Sequence, residues 1–165
     1  MKKKPEEVIS GKVLSNSDIV TLKEQWKKEG KKIVFTNGCF DIIHPGHIAY
    51  LAEAAGYGDV LVVGLNTDRS VKVLKGEKRP INNELSRSKL LAAMFFIDAV
   101  VFFDEDTPFE LIGLIEPDVL VKGGDYQIEG IVGAKETLAK GGEVKVLSFL
   151  PGYSSTSIIK KIKES

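Results

Sequence analysis

Apolar residues along this chain fall into short unbroken runs, separated by longer stretches in which they recur every three or four positions. The runs cover 33–35, 60–63, 99–103, 119–121 and 144–147. Runs of this length that barely alternate with polar residues are typical of strands covered on both faces. Between and after them, helical spacing predicts helices over 46–55, 84–97, 107–115, 131–140 and 155–164. Ahead of the first run, Ile19, Leu22 and Trp26 share one face of a helix over 18–29. Regular alternation of strand and helix calls for a parallel sheet with right-handed crossovers.

Boundary residues sharpen these elements. Pro45 suits the first turn of a helix, and Thr107-Pro108 reads as an N-cap followed by the first helical residue. Gly56 and Gly141-Gly142 read as helix ends. The expected organisation is one α/β domain, with residues 1–30 as an N-terminal helical extension and 31–165 as the body carrying five parallel strands.

Composition then narrows the partners. The chain has 165 residues, 43% of them hydrophobic and 28% charged, which suits one ordinary globular domain. Its 23 basic and 23 acidic residues cancel, so no global field draws it to nucleic acid or to an anionic membrane. Affinity for phosphate would have to come from a local site. The single cysteine, Cys39, leaves no disulfide framework. The charged start, with Lys2, Lys3, Lys4, Glu6 and Glu7, lacks a signal-peptide core, and no apolar run approaches the roughly 20 residues that span a bilayer. These features point to a cytoplasmic protein acting on small molecules.

The candidate chemistry begins where the first strand ends, in Thr36-Asn37-Gly38-Cys39-Phe40-Asp41-Ile42-Ile43-His44-Pro45-Gly46-His47. In a parallel sheet, ligands gather at the carboxyl ends of the strands. Gly38 permits close approach of backbone to a phosphate, and a helix opening at Pro45 presents free N–H groups to an anion. Both histidines of the chain lie here, three residues apart, so two imidazoles can address one phosphate chain. Capping or packing is the plainer role for a histidine pair, and no suitably spaced carboxylate or cysteine completes a zinc site. The string G-C-F-D-I-I-H-P-G-H from Gly38 to His47 resembles the signature of the cytidylyltransferase-like superfamily of nucleotidyltransferases, whose hallmark is H-x-G-H.

A second stretch, Pro151-Gly152-Tyr153-Ser154-Ser155-Thr156-Ser157, opens the last helix. One hydroxyl is enough for an N-cap, and four in a row exceed that need. Hydroxyls and free N–H groups at a helix start form an anion site. The stretch is similar to the superfamily's second signature, a Ser/Thr-rich turn that holds the outer phosphates of a nucleoside triphosphate.

Four further stretches follow the later strands: 64–71, 74–81, 103–108 and 121–126. With 36–41, they resemble the branch of sugar-1-phosphate adenylyltransferases that makes ADP-heptose from ATP and D-glycero-β-D-manno-heptose 1-phosphate, for lipopolysaccharide precursors. The resemblance implies a Rossmann-like fold, Mg2+ carried by ATP, no resident protein-bound metal, and homodimers as often found in the family. In many organisms this activity is one half of a bifunctional kinase–transferase, and no kinase half is read here.

Placed on matching residues, the resemblance gives His44 and His47 the charge at the α-phosphate. Thr36, Asn37 and Gly38 would hold phosphates, with Phe40, Asp41 and Gly46 shaping the turn. Lys75 or Lys78 would neutralise phosphate charge. Arg87 would reach the β- and γ-phosphates, Gly124 and Asp125 would border ribose and base, and Ser154, Ser155, Thr156 and Ser157 would take the outer phosphates. Simpler roles stay open: Asp41 as a loop brace, the lysines and Arg79 as a solvated loop, Arg87 as a partner of Glu84, and Asp104 to Asp106 as a helix cap. A cytidylyltransferase acting on glycerol 3-phosphate is the rival within enzymes. Pro151 is followed by Gly152 rather than the arginine common there, which argues mildly against it. A nucleotide-binding module without turnover is the rival outside them. No G-x-G-x-x-G follows the first strand, as a dinucleotide oxidoreductase would require.

Overall fold

The computed structural model describes residues 4–165; Met1 to Lys3 of the charged start lie outside them. The chain runs α1 (Pro5–Ser10), β1 (Val13–Leu14), α2 (Asn16–Lys28), β2 (Ile33–Gly38), α3 (Pro45–Ala55), β3 (Val60–Asn66), α4 (Asp68–Lys75), α5 (Glu84–Ala92), β4 (Ala99–Phe103), α6 (Phe109–Ile115), β5 (Val119–Gly123), α7 (Ala134–Ala139), β6 (Glu143–Leu147) and α8 (Ser155–Glu164), with a short 3-10 turn at Ile128–Gly130. All strands are parallel, in the order β1-β4-β3-β2-β5-β6.

The sheet has six strands, where the apolar runs predict five. The additional strand, β1, pairs Val13 with Val100 and Leu14 with Val101 at the sheet edge. Two residues are too few to form a recognisable run, so the pairing comes from tertiary structure rather than local pattern. Three other predictions change. The helix expected over 84–97 stops at Ala92, and Ile97 enters the core from a turn. Thr107 does not cap α6, whose N-cap is Pro108 with no side-chain hydrogen bond. The polar stretch after β3 is helical, because the Thr67 hydroxyl caps α4 by accepting from the Ser70 N–H.

Strand alternation divides the core into two layers. Val34, Val63, Val100, Val119 and Val121 face α3 and α5, packing with Tyr50, Leu51, Ala54 and Leu91. Phe35, Val62, Val101 and Leu120 face α2, α6 and α7, packing with Ile19, Trp26, Leu111 and Ile115. Apolar burial on both sides explains the unbroken apolar runs. Glu116, which ends α6 in a left-handed conformation at φ 49°, receives Lys140 and Lys23, and these bonds draw its carboxyl down to about 2.

Strand order reverses around β2. The chain steps outward through β3 and β4 with α3 and α5 on one face, then returns to β5 on the other side of β2 with α6 on the opposite face. A crevice opens where the two directions part, at the carboxyl ends of β2 and β5.

Candidate active site

A cleft of about 670 Å³ occupies that crevice, within the size range of small-molecule sites. The turn after β2 forms its centre. Asn37, Gly38, Phe40, Asp41, His44, Gly46 and His47 line it, together with Lys75 from the end of α4 and Ser154, Ser155 and Thr156 from the start of α8. The two hydroxyl- and histidine-bearing stretches, over 100 residues apart in sequence, therefore meet at one opening.

His44 is the N-cap of α3, and its Nδ1 accepts the His47 N–H at 3.3 Å. That bond leaves the proton of a neutral His44 ring on Nε2, the free end of the imidazole. The His47 ring stacks on His44 with centroids 3.8 Å apart and meets the edge of Phe40 at 5.3 Å. Burial lowers both histidines; with His44 adjacent, His47 falls to about 4. Both rings are therefore neutral N–H donors near pH 7. Nδ1 of His47 is the one buried side-chain polar atom without a hydrogen-bond partner among the described residues, so the rings of His44 and Phe40 and the Ile42 backbone, rather than a bond at Nδ1, hold that ring.

A pH prediction follows. In the free protein the His47 resonance should titrate near pH 4, and kcat/KM should show no loss from its protonation between pH 6 and 8. Because the folded pKa lies below the unfolded value, the unfolded state binds the proton first. His47 therefore costs stability progressively as pH falls from 6.5 to about 4. NMR titration of the imidazole beside a pH–rate profile checks both.

Gly46 makes the stack possible. A Cβ there would lie 3.0 Å from the His44 ring and 3.1 Å from Cβ of Tyr153, whose ring lies near-parallel to His44 with centroids 6.2 Å apart. Gly46→Ala should lower kcat/KM by roughly tenfold or more by displacing His44. The melting temperature should fall slightly as well, since moving His44 loosens the cap of α3. Assay and calorimetry on the same variant separate the two effects.

Several expected residues have other duties. Thr36 is fully buried and bonds at 2.6 Å to the hydroxyl of Tyr50, so it backs a cleft-lining residue instead of lining the cleft itself. Burial pushes the Tyr50 phenol up to about 12, so it stays protonated and braces β2 against α3. Asp41 braces a neighbouring loop rather than its own: it accepts from Ile81 N at 2.9 Å and Asn82 N at 2.8 Å and pairs with Arg79 at 2.7 Å. Burial opposes its charge, but these donors prevail and hold its carboxyl below the ordinary range.

Arg87 is the clearest correction. Its guanidinium is fully buried, paired to Asp68 at 2.8 Å and donating to the carbonyls of Cys39, Asn66 and Asn82, so four of its five N–H donors are engaged inside the protein and the group does not line the cleft. It is not a partner of Glu84 either, whose carboxylate accepts from Asp68 N. Lys78 is exposed and stands off the cleft wall, as do Gly124 and Asp125. Ser157 is spent on the cap, its N–H donating to Ser154 Oγ and its hydroxyl to Ser154 O. Asp104 pairs with Arg69 at 2.7 Å and accepts from Thr67, while Asp106 lines the cleft.

The family model described as cytidylyltransferase-like matches residues 35–161, which contain this whole cleft. The chain belongs to the cytidylyltransferase-like family. Among cytidylyltransferase-like relatives, a bifunctional protein HldE of Marinomonas sp. (strain MWYL1) is 61% identical over 149 residues, covering 90% of this chain and 31% of its own length. A bifunctional protein HldE of Koribacter versatilis (strain Ellin345) is 51% identical over 93% of this chain and 32% of its own. The chain thus spans about a third of these curated relatives. A crystal structure of the lipopolysaccharide core biosynthesis protein from Thermoplasma volcanium GSS1 superposes with a TM-score of 0.57 at 28% identity, over 73% of this chain and 97% of that one.

The cytidylyltransferase-like cleft also holds residues that motif reading passes over: Tyr50, Lys122, Tyr126, Phe149 and Tyr153. Tyr50 and Phe149 belong to none of the quoted stretches, and they reach the opening only because α3 and the carboxyl ends of β5 and β6 come together there. Among the described residues, no three His, Cys, Asp or Glu side chains cluster as a metal site, and no helix is long and apolar enough to cross a membrane.

Proposed function

We propose that this chain transfers the adenylyl group of ATP to D-glycero-β-D-manno-heptose 1-phosphate, forming ADP-heptose and pyrophosphate in the cytoplasm. The observation that carries the reading is the stacked pair of neutral histidines at the switch point of the sheet, facing the hydroxyl-rich start of α8 across one cleft. The identity of 61% to a protein named bifunctional, of which this chain matches about a third, supports one half of such a protein.

In this reading a sugar-phosphate oxygen attacks the α-phosphorus of ATP. The new P–O bond forms as the bond to the bridging oxygen of the β-phosphate breaks, and pyrophosphate departs in line. The attacking group is already an anion, so no general base is required. His44 Nε2–H and the His47 imidazole donate to oxygens on which charge develops. Lys75, Thr156 and the N–H groups opening α8 hold the outer phosphates, while the Ser155 hydroxyl ties that helix start to Ile42 O. Asp41 is committed to Arg79 and the 81–82 backbone, so a divalent ion, Mg2+ in this reading, would be held mainly by triphosphate oxygens and water and would neutralise phosphate charge.

The test is pyrophosphate release with ATP, Mg2+ and heptose 1-phosphate, beside CTP with glycerol 3-phosphate. Turnover in the first pair alone is expected. Turnover in the second alone would keep the chemistry and overturn the substrates. Silence in both, with intact ATP binding, would favour a nucleotide-binding module.

A further inference from the structure

Lys122 stands in the cleft wall with no part in the steps above. Alternation along β5 fixes its side of the sheet. Val119 and Val121 pack in the layer under α3, whereas Leu120 packs with Phe35 in the layer under α2, α6 and α7, and Lys122 follows Leu120. The register Val34↔Val119 and Phe35↔Leu120, carried two residues further, sets Lys122 level with Asn37.

The ammonium is poorly matched within the protein itself. Burial lowers the pKa of Lys122, yet it forms no ion pair among the described residues, and its marked contact is the Tyr126 ring at 5.6 Å. A cation drawn partly out of water without a counter-charge is costly, and an arriving anion relieves that cost.

The stereochemistry of transfer says which anion. Attacking and leaving oxygens lie on opposite sides of the α-phosphorus. On the α3 face, His44 stacks with Tyr153 and Ser155 bonds Ile42 O, which seats the start of α8 there, and the adenylyl-transfer reading puts the leaving pyrophosphate on that side. The attacking phosphate then enters from the α6 side, where Asn37 and Lys122 end their strands. Phe103, Asp106 and Thr107, leading into α6, continue that wall with a ring face and two polar groups suited to a sugar.

Resting on the adenylyl-transfer reading, we infer that Lys122, beside Asn37, binds the phosphate of the incoming sugar 1-phosphate, and that Asp106 and Thr107 border its sugar ring. Lys122 thereby separates the acceptor from the triphosphate, which is held by the opposite wall.

The test uses the full chain. A non-hydrolysable ATP analogue is titrated first; heptose 1-phosphate, or inorganic phosphate as a simpler probe, is then titrated into the analogue-bound protein. Lys122→Met keeps the apolar stem and removes the charge. It should weaken both phosphate ligands by about 10- to 100-fold, the scale of one charge-assisted bond, and leave the analogue within about threefold. Lys122→Arg should recover most of the loss, which a purely structural role would not produce. Equal weakening of the analogue, or unchanged phosphate binding, overturns the assignment. If the wild type binds phosphate through Lys122 but not heptose 1-phosphate, the sugar is wrong and the phosphate site stands; if it binds neither, both fall. Should Lys122→Met fail to fold, the wild-type amine provides the readout: phosphate should raise its pKa by NMR, and a static value overturns the proposal.

Discussion

Replacing His47 with alanine should lower kcat by about 10²–10³, and His44→Ala should do the same, the scale of losing one donor to developing charge. The pair is not interchangeable. His44 is tied through Nδ1 to the α3 backbone, so its loss removes both a donor and the helix cap. His47 is held by the rings on either side of it, so its loss leaves the cap intact. His44→Ala should therefore cost about 1 kcal/mol of stability as well. His47→Ala should cost less, because the cap survives and the lost ring packing is partly offset by removing a buried nitrogen that has no partner. KM for ATP should change little in either case if the bonds strengthen only in the transition state. Steady-state kinetics with calorimetry on both variants checks this, and near-normal turnover in either would remove the histidines from the centre of the mechanism.

The residues that were legible in the sequence are those whose local pattern suffices. Unbroken apolar runs reported strands buried on both faces, and Pro45 marked the start of α3 correctly because a proline at that position costs no hydrogen bond. The two signatures announced the cleft because each is contiguous in the chain. What stayed hidden depends on distant partners. The edge strand at Val13 and Leu14 exists only against Val100 and Val101. Asp41 and Arg79, 38 residues apart, give no hint in sequence that they are joined. Lys122 has the same limitation: its place opposite the histidines is set by the register of β5 on β2, which no motif encodes. Arg87 misled for the opposite reason. An arginine on a helix near a phosphate site resembles a ligand contact, and only its burial reveals that four of its five donors already serve the protein.

Arg87→Leu should destabilise the fold by about 3–5 kcal/mol, the cost of stranding the partners of a buried charge. Its guanidinium donates through Nε to Asn82 O at 3.0 Å, through Nη1 to Cys39 O and Asn66 O at 2.8 Å each, and through Nη2 to Asp68 at 2.8 Å. These acceptors belong to three separate segments: the turn after β2, the junction of β3 with α4, and the loop before α5. Leucine fills part of the volume and satisfies none of them. At roughly 2–4 °C per kcal/mol for a chain of this size, the melting temperature should fall by about 6–20 °C. Lysine should not rescue it, since one ammonium cannot span the planar fork of acceptors. Activity should fall too, because Cys39 adjoins Phe40, whose ring supports His47. The order of effects is the discriminating feature. A phosphate-binding arginine would raise KM for ATP and leave the melting temperature alone, whereas this one should lower the melting temperature of the ligand-free protein first. Thermal unfolding without nucleotide, set beside KM for ATP at a temperature where the variant remains folded, distinguishes the two roles.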